Sequence, residues 1–278
     1  MKKFLALLLA LMMSLSLVAC GGNDAAGEEA PADDAVVEET PETTPESDAA
    51  YIEGNGKVVV GITIYEPMNY YDDAGNLTGF DTEFALAVCD KLGLEAEFQE
   101  INWDTKEIEL AGKTIDCIWN GMTITDDVKN NTSYTNPYVI NAQVVVTKAD
   151  VAANYKNADS IKDISIAVEN DSAGMGALKD IGIDDYTALL DQAAALMEVA
   201  SGTSQACVID ITMANALVGA GKQYSDLAIA FELTSEYYGI GFRKGSDMTE
   251  KVNELMAKWM ADGTLDALAA KYNVALVK

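Results

Sequence analysis

The chain has 278 residues, 45 of them Asp or Glu against 18 Lys or Arg, for a formal net charge of −27 with no histidine anywhere. That balance argues against nucleic acid or anionic lipid as a partner, because both carry like charge. The missing histidine removes imidazole acid–base catalysis and His-containing metal sites, no CxxC pair is present to hold zinc, and neither a metal nor a cofactor is expected.

Lys2 and Lys3 precede an apolar run from Phe4 to Leu17, which closes on Leu17-Val18-Ala19-Cys20. A basic start, a short apolar segment and small residues before a cut describe a secretory signal over 1–20, too short and wrongly flanked for a spanning helix. A cysteine at the cut resembles the lipobox of bacterial lipoproteins. That resemblance implies diacylglycerol on the Cys20 thiol and a chain tethered to the outer face of the cytoplasmic membrane. Residues 21–50 hold ten acidic side chains, no basic ones and three of the five prolines. Such a segment buries too little apolar surface to offset its ordering entropy, so a disordered acidic linker is expected there. The remaining 51–278 suffice for one large domain or two smaller lobes.

Lys57–Ile64 reads as a strand, Phe80–Leu92 as an amphipathic helix, Glu95–Ile101 as a strand, Thr105–Ala111 as a short helix ended by Gly112, and Thr114–Trp119 as a third strand. The pattern restarts with strands at Ala142–Thr147 and Ile164–Val168, a helix from about Tyr186 to Ala200, a strand at Ala206–Ile209 and a helix at Thr212–Val218. Strands at Leu227–Leu233 and Gly239–Arg243 and helices at Met248–Ala261 and Leu265–Tyr272 complete the chain. Strands alternating with helices at this spacing predict an α/β fold with parallel sheet. Cys89, Cys117 and Cys207 lie in apolar runs and read as small buried hydrophobes, although one disulfide among them stays open.

Several motifs occur in a telling order: Gly79-Phe80-Asp81, Asn102-Trp103-Asp104, Gly112-Lys113-Thr114-Ile115-Asp116, the segment Gly121 to Asp126, Asn136-Pro137-Tyr138, Val208-Ile209-Asp210, Tyr238 to Gly245, and Asp262-Gly263-Thr264-Leu265. Over residues 55–275 this order resembles the polar amino acid family of extracytoplasmic solute-binding proteins, the receptors of ABC importers, and its wording is most like Gram-positive lipoproteins. The resemblance implies a two-lobed type II periplasmic-binding-protein fold, with lobe 1 at 51–144 plus 236–278, lobe 2 at 145–235, and hinge strands near Asn141–Val145 and Phe231–Tyr237. It implies a monomer that closes its cleft on an amino acid or related amine, with an ABC permease as partner and no covalent chemistry.

By the same resemblance, Tyr65 and Trp103 fall on aromatics that sandwich the ligand, and Trp119 lies beside main-chain donors at a strand end. Each ring also suits core packing, Trp119 most of all. Asp210 matches the aspartate that takes the ligand's α-ammonium; helix N-capping is its alternative role. Thr123 and Gly121 match residues that meet the ligand carboxylate through hydroxyl and main chain, and Ser172 matches the helix start that completes that site.

Two positions depart from the pattern. Val128 stands where relatives place the arginine that clamps the carboxylate, and Asp171 stands where they usually have glycine. The only arginine, Arg243, is remote in sequence, and Lys129 is one residue out of register. One reading makes the ligand an amine, selected by Asp210 and Asp171. The other leaves the carboxylate to backbone N–H groups, with Asp171 turned outward. A receptor that no longer transports, serving as sensor or surface antigen, is a further alternative. An enzyme on this fold would have only Glu66, Glu169, Asp171 or lysines for proton transfer.

Overall fold

Two sheets organise residues 47–278, the part of the chain that this computed structural model describes. The first has the strand order Glu95–Glu100, Lys57–Ile62, Cys117–Thr123, Glu236–Arg243, Thr132–Tyr134, with Val139–Asn141 also paired to Glu236–Arg243. The second runs Thr187–Leu189, Ile166–Glu169, Ala206–Asp210, Gln143–Lys148, Leu227–Glu232. The chain passes between the sheets twice: Val139–Asn141 continues through Ala142 into Gln143–Lys148, and Leu227–Glu232 leads through 233–235 into Glu236–Arg243. The result is a two-lobed α/β protein. The signal, Cys20 and the linker up to residue 46 lie outside the described residues.

Neither sheet is purely parallel, contrary to the strand–helix alternation. Lys57–Ile62 pairs in parallel with both of its neighbours, but Glu236–Arg243 runs antiparallel to Cys117–Thr123. In the second sheet Gln143–Lys148 is antiparallel to both neighbours. The antiparallel members are the strands reached by the crossings, which enter each sheet from the opposite end.

The first lobe's core is built on the helix Phe80–Leu92, which ends on Gly93 in a left-handed C-cap. Its i, i+4 face, Phe80, Phe84 and Val88, is buried. Phe84 meets Trp119 edge-on at 5.0 Å between centroids, and Phe80 stacks on Tyr138 at 6.2 Å. In the second lobe all four residues of Ile166–Glu169 are buried, as in a strand covered on both faces.

Four expectations need correction. The acidic linker does not run to residue 50: Asp48–Asn55 is a helix capped by Ser47, and Asp48 Oδ1 takes the Arg243 Nε–H at 2.5 Å. The third strand is Cys117–Thr123, three residues later than Thr114, because the chain reaches the sheet only after Asp116 has taken the Val59 N–H on its carboxylate. The helix expected from Tyr186 begins at Gln192, where Asp191 accepts the Ala194 N–H, and Thr187–Leu189 is an edge strand paired with Ala167–Glu169. Asp126–Asn131 and Ala173–Asp180 are helices that the periodicity did not yield.

Cys89, Cys117 and Cys207 are all free and buried, and burial pushes the Cys89 thiol up to about 11. Arg243 is also buried, held by Asp48, by Asp116 Oδ1 at 2.8 Å and by the Ile115 carbonyl at 2.9 Å. Among the described residues no helix is long and apolar enough to cross a membrane.

Candidate functional site

A cleft of ≈ 720 Å³ opens between the two sheets, lined from the first lobe, the second lobe and both crossings. That size suits a small polar molecule. Strand ends supply most of its chemistry: Glu169 and Asp210 close their strands, and Glu236 opens the returning one.

The floor is a carboxylate pair bridged by amides. Asn141 Nδ2 donates at 2.8 Å both to Asp210 Oδ1 and to Glu236 Oε1. Gln143 Nε2 likewise donates to Asp210 Oδ1 and, at 2.8 Å, to Glu236 Oε1. Gln192 Nε2 donates to Asp210 Oδ2 at 2.6 Å, and the Thr123 hydroxyl donates to Glu236 Oε1 at 2.8 Å. Burial first and the Glu236 charge second lift the Asp210 carboxyl to about 6, while the amides hold it down. Asp210 occupies an N-cap position, yet its side chain makes no capping bond, so N-capping does not explain it.

Tyr65 and Trp103 both line the cleft and are almost fully buried. The Tyr65 hydroxyl meets the Tyr238 hydroxyl at 2.5 Å, and burial together with the Asp210 charge holds its phenol well above the ordinary range. Gly121 lets these rings approach: its φ is +57°, and a Cβ there would lie 2.6 Å from Tyr65 Cε1. The Gly121 N–H is not free for a ligand, because Asp81 Oδ2 accepts it at 2.7 Å. Asp81 also accepts the Tyr138 hydroxyl on both oxygens, and burial raises it to about 7.

Trp119 is not a cleft residue. It is 1% exposed, absent from the lining and packed on Phe84, as the core-packing alternative had it. The Thr123 hydroxyl lines the cleft but is committed to Glu236. Ser172 caps the helix Ala173–Asp180, its Oγ accepting from Met175 N at 3.2 Å and donating to the Glu169 carbonyl at 2.9 Å. That leaves the N–H of Ala173 without an intrahelical partner at the cleft wall.

Asp171 is neither an unpaired charge in the cleft nor turned away from it. Lys106, on the opposite lobe, donates from Nζ to Asp171 Oδ2 at 2.7 Å and to the carbonyls of Trp103 at 3.1 Å and Asp171 at 3.3 Å. Asp171 has a φ of +53°, which explains why a glycine suits this position and an aspartate is tolerated. Lys129 does not replace the arginine; it pairs with Asp126 Oδ1 at 2.8 Å on the surface. Val128 fills the arginine's position with apolar bulk, packed in the cluster of Trp103, Leu110 and Met122.

Sequence reasoning missed Lys106, Gln143, Gln192 and Glu236, and named Glu169 only as a proton-transfer group for the enzyme alternative. Glu169 carried a signal, as the polar residue that ends the apolar run Ile166-Ala167-Val168. Among the described residues no group of three His, Cys, Asp or Glu is arranged to hold a metal ion.

Two lobes joined by paired crossings around a cleft of buried polar side chains define a type II periplasmic-binding protein. The chain belongs to the bacterial extracellular solute-binding proteins, family 3, whose family pattern matches residues 58–275. It is 30% identical over 233 residues to the L-cystine-binding protein TcyJ of Escherichia coli (strain K12), covering 80% of this chain and 84% of that one. Tv2483 bound to L-arginine superposes with a TM-score of 0.74 at 25% identity, covering 81% of this chain and 93% of that one. The ancestral amino acid-binding protein AncCDT-1, a precursor of cyclohexadienyl dehydratase, superposes with a TM-score of 0.72 at 28% identity, covering 80% and 97%.

Proposed function

We propose that this protein captures an amino acid by closing its cleft and delivers it to an ABC permease, with no covalent step. The observation that carries this is the amide-bridged floor: Asp210 is fixed by three amide donors and keeps lone-pair capacity toward the cleft, where an ammonium can be paired and hydrogen-bonded. Tyr65 and Trp103 flank the ligand. Ser172 orders the helix start, whose Ala173 N–H takes the carboxylate in place of an arginine. The Lys106–Asp171 pair supports the amino acid over the amine, because it cancels the negative charge that Asp171 would otherwise set beside a carboxylate.

Relatives that take L-cystine and L-arginine, each of which has an ammonium beside a carboxylate, are consistent with this reading. Attachment through a lipid on Cys20 belongs to the same proposal and rests on the Leu17–Cys20 motif. The test is a thermal-shift screen of the secreted domain against amino acids and their decarboxylated amines, followed by calorimetry of the hits. Closed-state ligands raise the melting temperature by mass action. Parent amino acids should outbind their amines; the reverse result would make the cleft an amine receptor.

A further inference from the structure

The floor described above leaves one buried acidic side chain of the cleft without a role. Glu169 ends its strand on the second lobe, is 4% exposed and lines the cleft. Its backbone carbonyl is used by Ser172, and among the described residues its carboxyl has no ion pair, the Gln192 amide being the hydrogen-bonding side chain beside it. None of its neighbours neutralises it. The Gln192 amide donates to Asp210 Oδ2 at 2.6 Å and accepts the Asp210 N–H at 2.9 Å. Lys106 is held by Asp171 and two carbonyls. Lys179, the other basic residue of the lining, is exposed at the far end of its helix.

A nearly buried carboxyl with no counter-charge is costly to ionise, and a cleft can keep one where a cation arrives from outside. Burial and the Asp210 and Asp191 charges outweigh the pull of Gln192 and Lys106 and raise this carboxyl to about 8. A ligand with a single ammonium, seated at Asp210, would leave Glu169 enclosed and uncompensated when the cleft shuts. A second cation would meet it.

We propose that Glu169 is the specificity-determining residue of the cleft and accepts a distal cationic group, the side-chain ammonium or guanidinium of a basic amino acid. This rests on the reading that Asp210 takes the α-ammonium and the helix start takes the carboxylate. Glu169 then selects charge at the far end of the ligand, Asp210 fixes the near end, and Lys106 stays out of both roles.

The experiment titrates isosteric pairs calorimetrically into the wild-type domain and Glu169→Gln: L-lysine against L-norleucine, and L-arginine against L-citrulline. The expected result is a preference of about thirtyfold or more for the basic member in the wild type, which collapses in Glu169→Gln while the neutral member changes little. Equal affinity within the pairs, or a preference that survives the substitution, overturns the role of Glu169 but leaves amino acid capture standing. Saturable binding of none of the four, in a wild-type protein that unfolds cooperatively, overturns the inference together with the reading beneath it. If Glu169→Gln folds poorly, equal affinity within the wild-type pairs still overturns the role of Glu169.

Discussion

Lys106 Nζ and Asp171 Oδ2 meet at 2.7 Å across the cleft, one side chain 7% exposed and the other 63%. The asymmetry in burial fixes what each substitution does. Lys106→Met leaves an exposed aspartate free to be hydrated, whereas Asp171→Asn strands a buried ammonium with carbonyl partners only. Asp171→Asn should therefore weaken ligand binding more than Lys106→Met. Losses of about 1–3 kcal/mol for the former and under about 1 kcal/mol for the latter are expected. Stopped-flow dissociation rates are the readout, since a contact between lobes holds the closed state. Equal effects would mean that the pair does not tie the lobes.

Gly121 is the position where backbone and aromatic wall depend on each other. Gly121→Ala adds left-handed strain and drives a methyl into Tyr65 and Tyr238, so a loss of about 2–4 kcal/mol is expected. Urea unfolding measures it. The exposed Gly54, within Asp48–Asn55, has nothing within 4 Å of an added Cβ, and Gly54→Ala should stabilise by about 0.5–1 kcal/mol.

Tryptophan emission separates the wall from the core. Trp103 lines the cleft and Trp119 does not, so Trp103→Phe should abolish the ligand-induced change. Trp119→Phe should retain that change while lowering the melting temperature, because it thins the contact with Phe84. A signal that follows Trp119 would refute the placement of the cleft.

Acidity should stabilise the empty protein. Burial lifts Glu169 from 4.5 to about 8, and Asp81 and Asp210 from 3.8 to about 7 and about 6. Each carboxyl holds its proton more tightly folded than unfolded, so the stability it lends is complete below its unfolded value and is lost as pH rises through 6 to 8. Carboxylates pulled the other way, such as Asp72 and Asp126, act below about pH 4 and do not oppose this trend. The melting temperature of the unliganded domain should fall by several degrees from pH 5 to pH 8, and Glu169→Gln should flatten the slope. A rising profile would contradict the burial of these groups.

Elements with a strong local signal were legible in the sequence. Phe80–Leu92 is bounded by glycines and shows a clear i, i+4 face, and the structure reproduces its limits. Tyr65, Trp103 and Asp210 were reached through the ordered motifs and stand in the cleft. Thr187–Leu189 was lost in a helical run because an edge strand of three residues is set by its neighbour rather than by its own composition. Lys106 was hidden because its partner Asp171 is 65 residues away on the other lobe. Trp119, for which core packing was the favoured alternative, sits inside the strand Cys117–Thr123 rather than at its end, so its ring belongs to the core. Glu236 and Gln143 gain meaning only when the two crossings lie side by side.

The central claim, an amino acid gripped by its ammonium at Asp210 and its carboxylate at the helix start, meets its most direct test in one calorimetric comparison. L-lysine and its decarboxylated amine, cadaverine, would each be titrated into the wild type and Asp210→Asn. The amino acid should bind the wild type at least about tenfold more tightly and lose that binding in Asp210→Asn. Cadaverine binding the wild type as tightly as lysine, or lysine binding unchanged by Asp210→Asn, would contradict the account.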